Sequence, residues 1–345
     1  MFESLKGYFS FFCISLVSLS VLIGCGLMDA LSENELLETP NSAIYWISSS
    51  GGDPTQLTQG DSYWNPDWLP DSTSLVVNSG KEGYASTETV QAPRLYRLTL
   101  DGALTLIDLP ISLDVTSIAT SPYGDGVLVH SGLLYQDDTP FQPTTKDSHW
   151  LSNGKLAMMK DDFRTIMIRD IHSDTEHDTY TATATLNAMT YHPTAPHPTY
   201  YFSLAQSREI FQYQADTSTE AMRIFSGSST DQEESVSALR LDISGSYLAY
   251  FRTQYTTHPD GASSQFSYAT VVLSLSEPVK SDLTLEGVRD IDWHPSLAQL
   301  VYAEPIGKEV YHIFIYDFNS QEKRFLCQGR RPRWSPDGKK VVFYD

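Results

Sequence analysis

The sequence predicts an all-β chain folded as a β-propeller, a ring of short four-stranded sheets. Three observations predict it. A short unit recurs down the chain: an aromatic or apolar residue, a turn built on Pro, Asp, Ser or Gly, then an apolar strand. The unit returns at a spacing of 40–50 residues, the period of propeller blades. Twenty tyrosines, fifteen phenylalanines and six tryptophans complete the picture, since aromatic side chains suit a pleated, half-buried surface.

At the start, residues 1–24 read as a secretory leader. Lys6 gives a weakly basic opening, Tyr8 to Ile23 form an apolar stretch, and the stretch is too short to be a comfortable membrane span. It closes on Leu22-Ile23-Gly24-Cys25. These four residues resemble the bacterial lipobox, which implies lipidation of the Cys25 thiol, cleavage before it and further acylation, palmitate included, at the new amino terminus. Several acyl chains together make a stable membrane anchor. Residues 25–42 then read as the lipidated cysteine and a tether carrying Asp29, Glu33, Glu35 and Glu38. Extended, the tether spans up to ~60 Å. The expected location is the outside of a bacterial cell envelope. With Gly26 at the second mature position it is the outer membrane, if the host is Gram-negative and sorts in the usual way.

Residues 43–345 are expected to form the propeller. Its inner hairpins are marked by Trp68, Thr120, Trp150, Tyr191, Leu241, Trp293 and Trp334, at intervals of 52, 30, 41, 50, 52 and 41. This register predicts seven four-stranded blades, with the second the weakest. Between the marks lie candidate outer hairpins, such as Leu95–Leu98 and Ile313–Tyr316. The chain opens on an outer hairpin at 44–58 and closes on an inner one at 332–344. The two halves are therefore expected to share a blade and close the ring.

The hairpins resemble the propeller repeats of the TolB family, in which a tryptophan is followed by Ser-Pro-Asp-Gly and an apolar strand. Trp334–Gly338 matches in full, and the units at Trp68 and Trp293 match in part. The resemblance covers about 43–345 and implies fold more than function. Two departures set the chain apart from TolB itself: a tether stands where TolB has an α/β domain, and seven blades are expected rather than six.

Composition narrows the function. With 43 acidic against 23 basic residues the net charge is −20, which opposes nucleic-acid binding and an anionic membrane surface as ligand. Of three cysteines, Cys13 leaves with the leader, Cys25 takes lipid and Cys327 stands alone. Neither an intramolecular disulfide nor a cysteine zinc site is then expected. No Gly-x-Ser-x-Gly, His-Glu-x-x-His or phosphate-binding glycine loop occurs. His192 and His294, each before a proline, are read as turn caps. His172, His177 and the acidic runs at Asp161-Asp162 and Asp231–Glu234 are read as solvated surface, without calcium-loop spacing. No catalytic residue, metal or cofactor is assigned.

One constellation stands out. Arg330, Arg331 and Arg333 crowd a chain otherwise short of positive charge, in the connection into the last inner strand. Tyr63 and Trp64 occupy the equivalent loop of blade one. Two readings stay open: a docking surface for an envelope protein, because arginine and aromatics serve as interface anchors, or arginines pairing with nearby acids. The favoured function is a lipid-anchored binding or assembly subunit of an envelope complex rather than an enzyme. The alternative is a glycan-acting lyase or hydrolase at the channel mouth, and a small-ligand sensor is a third reading.

Overall fold

The computed structural model describes residues 43–345 except 60–62, 80–93, 108–117, 122–126, 130–132, 137–138, 142–147, 152–154, 171–172, 174, 193, 206, 228–232, 258–263, 277–280 and 308–309. Cys25 and the tether lie outside the described residues.

Each sheet is four-stranded and antiparallel, and six of them are meanders of consecutive strands. The first blade holds β3 (Tyr63–Trp68), β4 (Ser74–Ser79), β5 (Arg94–Thr99) and β6 (Leu104–Ile107). The second sheet holds β7 (Ile118–Thr120), β8 (Val127–Val129), β9 (Leu133–Gln136) and β10 (Thr139–Phe141). Next come β11 (Ser148–Leu151), β12 (Lys155–Met159), β13 (Thr165–Asp170) and β14 (Thr175–Thr181), followed by β15 (Leu186–Tyr191), β16 (Thr199–Leu204), β17 (Glu209–Gln214) and β18 (Met222–Ser226). The fifth blade is the longest, with β19 (Glu233–Leu241), β20 (Tyr247–Thr257), β21 (Ser264–Ser274) and β22 (Ser281–Glu286). The sixth has β23 (Ile291–Trp293), β24 (Gln299–Pro305), β25 (Tyr311–Asp317) and β26 (Glu322–Gln328).

The last sheet joins the chain's ends. Strands β1 (Ile44–Ser48) and β2 (Thr55–Gln56) pair with β27 (Arg330–Trp334) and β28 (Lys340–Tyr344) in the order β2-β1-β28-β27. Ile44 lies opposite Tyr344 and Ser48 opposite Lys340. The carboxylate of Asp345 accepts the backbone N–H of Ala43 at 2.9 Å.

The expectation of seven four-stranded blades is corrected to six. Six four-stranded blades carry a packed, described core. The stretch expected as the second blade pairs its backbone in strands of three or four residues. The physical reason lies in its sequence: the strands run only three or four residues, and Pro140 in β10 has no backbone N–H to donate to a ladder. Core in this fold lies between blades. Leu300 and Tyr302 of blade six pack on Ala249 and Val272 of blade five, and Val342 packs on Leu75, Val77 and Trp68 across the closing seam.

Turn chemistry explains the hairpins. Asp71 accepts the backbone N–H groups of Thr73 and Ser74, both at 2.8 Å. Asp162, read from sequence as solvated surface, does the same for Arg164 and Thr165. His294 replaces such a group: its Nδ1 accepts Ser296 N–H at 3.1 Å and Leu297 N–H at 3.0 Å. His192 Nδ1 accepts Thr194 N–H at 3.3 Å. Both histidines cap turns.

Candidate functional site

All inner strands run the same way around the channel, so the ring has two different faces. The leading face carries the starts of the inner strands, and the turn face carries the tight turns that follow the marks. At the mark, tryptophans stitch blade to blade. The Nε1–H of Trp68, Trp150 and Trp293 donates to the carbonyls of Arg333, Ala119 and Arg240 respectively, each at 3.1 Å and each one blade back. Trp334 turns edge-on to His294, with ring centroids 4.6 Å apart.

The residue before each mark forms a tier around the channel: Asp67, Ala119, His149, Thr190, Arg240, Asp292 and Arg333. Three of the seven sheets contribute uncharged groups or His149. The other four place Arg240, Asp292, Arg333 and Asp67 in alternating sign around the ring. Arg240 Nη1 lies 4.0 Å from Asp292 Oδ1. Asp67 Oδ2 accepts the Thr120 N–H at 2.6 Å, and Asp292 Oδ2 accepts the Trp334 N–H at 2.7 Å. Each carboxylate therefore ties its own blade to the next.

A second tier sits two residues earlier. Asn65, Ala238 and Arg331 have φ of 48°, 49° and 46°, and each lies at a register shift of its inner strand. The shift is a bulge, which re-aims side chains. It turns Arg331 so that Nη1 donates to Asn65 Oδ1, while Nε lies 3.9 Å from Asp290 Oδ1.

Crowding shapes the protonation of these groups. Burial pushes the Asp67 carboxyl up to about 6, against the hydrogen bond from Thr120 and the charge of Arg333. Burial likewise raises Asp292, with Arg333 and Arg240 opposing. Burial lowers Arg240, and Arg333 adds to that. His149 is pushed down to about 4 by burial and then by Arg240, so it is neutral at physiological pH. A carboxyl near 6 suits a general base, but both hydrogen bonds from Thr120 fall on the same Oδ2. The cavity beside Asn65, Pro66, Ile118, Arg331 and Arg333 holds about 40 Å³, room for a few waters at most.

The arginines singled out from sequence lie within strand β27 and not in a connecting loop, and Tyr63 and Trp64 lie within β3. The reason is that the bulged inner strands extend further toward the leading face than the turn signals indicate. Arg333 Nη1 donates to the Pro332 carbonyl at 2.9 Å. Arg330 stacks its guanidinium over Tyr311, 4.6 Å from the ring centroid. Tyr63 meets Tyr96 edge-on at 5.5 Å; the Trp64 side chain is outside the description. His177 and His197 are exposed. Among the described residues, no group of three or more His, Cys, Asp and Glu is placed to hold a metal ion, and no helix is long and apolar enough to cross a membrane. The sequence reading missed Asp67, His149, Arg240 and Asp292.

No family model matches the chain, and no curated protein matches its sequence. Solved structures do match. The chain is 16% identical to a TolB-like protein of Agrobacterium tumefaciens, covering 89% of this chain and 98% of that one at a TM-score of 0.44. It is 14% identical to TolB from Acinetobacter baumannii, over 88% of this chain and 64% of that one at 0.41. Kuenenia stuttgartiensis hydrazine synthase matches at 10% identity, over 80% and 90%, with a TM-score of 0.55. At these identities the likeness defines a class, the β-propeller, and nothing narrower.

Proposed function

We propose that the chain is a lipid-anchored, protein-binding propeller of a bacterial cell envelope, related to the TolB propellers, with its docking surface on the leading face. One observation carries the reading. The channel's charged groups are engaged with one another across blades, which leaves the rim rather than the channel as the surface able to meet a large partner. Arg330 and Tyr63 belong to that rim. Arg331 and Arg333 are committed to the tiers, which favours a charge-balancing role for those two.

The test separates the two kinds of arginine. Arg330→Glu should leave the chain folded and remove a protein that co-purifies with the parent from detergent-solubilised membranes. An unchanged set of companions would overturn docking at this rim. Arg333→Glu should instead lower the melting temperature. Anchoring is tested separately by mass spectrometry: the mature chain should begin at an acylated Cys25, and an unmodified cysteine there would sink that part.

A further inference from the structure

Large exposed apolar side chains are unevenly shared between the two faces. Phe163 (44% exposed) lies in the β12–β13 turn, and Ile306 (55%) and Val310 (39%) flank the β24–β25 turn. Tyr255 (39%) and Phe266 (48%) lie directly opposite each other near the far end of the β20–β21 hairpin. All five are on the leading face, on blades three, five and six. The turn face carries Leu297 among its tight turns, with Leu104 and Met222 at the starts of β6 and β18, beside Asp71, Asp101, Asp317 and Asp337. Hydrogen bonds in those turns hold the four carboxyls below their usual range, so they are ionised at neutral pH.

The chain's own course adds an independent observation. Ile44 pairs with Tyr344, and Tyr344 pairs with Arg330. Residue 43 therefore leaves the propeller on the leading face, two strands from Arg330, and the 42 residues preceding it start from there. An anchor at Cys25 draws that face toward the lipid.

We propose that the apolar tips of the leading face rest on the lipid bilayer that anchors the chain, with the channel mouth turned toward the membrane. The proposal rests on the anchoring reading above. Aromatic and aliphatic tips gain by sinking into the interfacial zone of a bilayer. The net charge of −20 selects a zwitterionic lipid surface over an anionic one. A protein that docks at Arg330 then meets the propeller at the membrane surface.

The experiment uses the full chain, processed by its host and reconstituted in phosphatidylcholine vesicles containing a doxyl-labelled lipid quencher. A fluorophore is placed at Ile306→Cys on the leading face or at Ser320→Cys on the turn face; Cys327 is buried. The label at 306 should be quenched severalfold more than the label at 320. Replacing Phe163, Tyr255, Phe266 and Val310 with serine should erase that contrast while the protein still floats with the vesicles. Flotation with equal quenching at both sites overturns the orientation and leaves the anchor standing. Failure to float overturns both. Loss of a co-purifying protein in the serine variant, without quenching at 306 in the parent, assigns the tips to a protein interface and overturns the lipid contact.

Discussion

Asp292 accepts the backbone N–H of Trp334 at 2.7 Å, across the boundary between the sixth blade and the closing one. The same carboxylate neutralises Arg240 and Arg333 in the channel, so a single side chain serves both the seam and the charge balance.

Asp292→Ala should therefore be costly in two ways. It orphans a donor on β27 and leaves two arginines facing each other without the acid between them. Losing a charged acceptor from a buried donor costs about 1–3 kcal/mol. Asp292→Asn keeps an acceptor and should recover part of that loss. Urea unfolding of the two variants checks this; equal stability for both would show that the Trp334 contact contributes nothing.

The turn at Ser335–Gly338 is braced from the neighbouring blade. Gly338 has φ +68°, and a Cβ there would lie 2.4 Å from His294 Nε2. Gly338→Ala should destabilise both by the left-handed backbone and by displacing the His294 ring from its turn and from Trp334. The backbone part alone is about 1 kcal/mol. In a double variant with His294→Ala the clash disappears, so the loss in the double variant should be smaller than the sum of the two single losses. Strict additivity in a double-mutant cycle would deny the contact. Gly245 faces His192 in the same way, with a φ of +71°, and should show the same coupling.

How much of this was legible depends on which residues repeat. The marks at Trp68, Trp150, Trp293 and Trp334 stand out because tryptophan followed by a Pro, Ser or Gly turn is local chemistry, visible without a fold. His192 and His294 were legible as caps because each takes the place of a serine before proline. The channel tier was not legible. Asp67, His149, Arg240, Asp292 and Arg333 share a position but no residue type, and only counting back one from each mark would have found them. The bulges were equally silent: asparagine favours positive φ, but alanine at 238 and arginine at 331 give no local cue. The second sheet was over-read as a blade because its intervals of 52 and 30 together make two repeats, while its strands run only three or four residues.

Acidity should act on the ring in two opposing ways. The Asp67 pKa is raised from 3.8 to about 6 in the fold, so the folded state holds more protons between those values. Its contribution is fully present below about 3.8 and is lost as pH rises through 6. His149 falls from 6.5 to about 4, so the unfolded state holds more protons in that window and stability rises with pH. Asp67→Asn should therefore gain on the parent as pH rises from 4 to 7, whereas His149→Gln should gain on it as pH falls from 6.5 to 4. Thermal melts across that range check both signs, and curves parallel to the parent would show that neither group titrates as placed.

Ring closure depends on the last eleven residues. Strand β28 lies between β1 and β27, and Val341, Val342 and Phe343 are almost fully buried, at 0%, 0% and 2% exposure. Burying three such side chains is worth about 5–9 kcal/mol of transfer free energy, comparable with the whole stability of an ordinary domain. Deleting 335–345 removes this strand, frees β1 from its hydrogen-bonded neighbour, and strips Trp68 and Leu75 of their packing against Val342. Two unpaired strand edges then face solvent, which favours association between chains. The truncated protein should melt at a much lower temperature and elute as oligomers on size exclusion. Supplying residues 335–345 as a peptide should restore part of the melting temperature, because the peptide can re-pair with β1 and β27. A truncated protein that remains monomeric with the parent's melting temperature would show that the ring is held without the strand shared by its two ends.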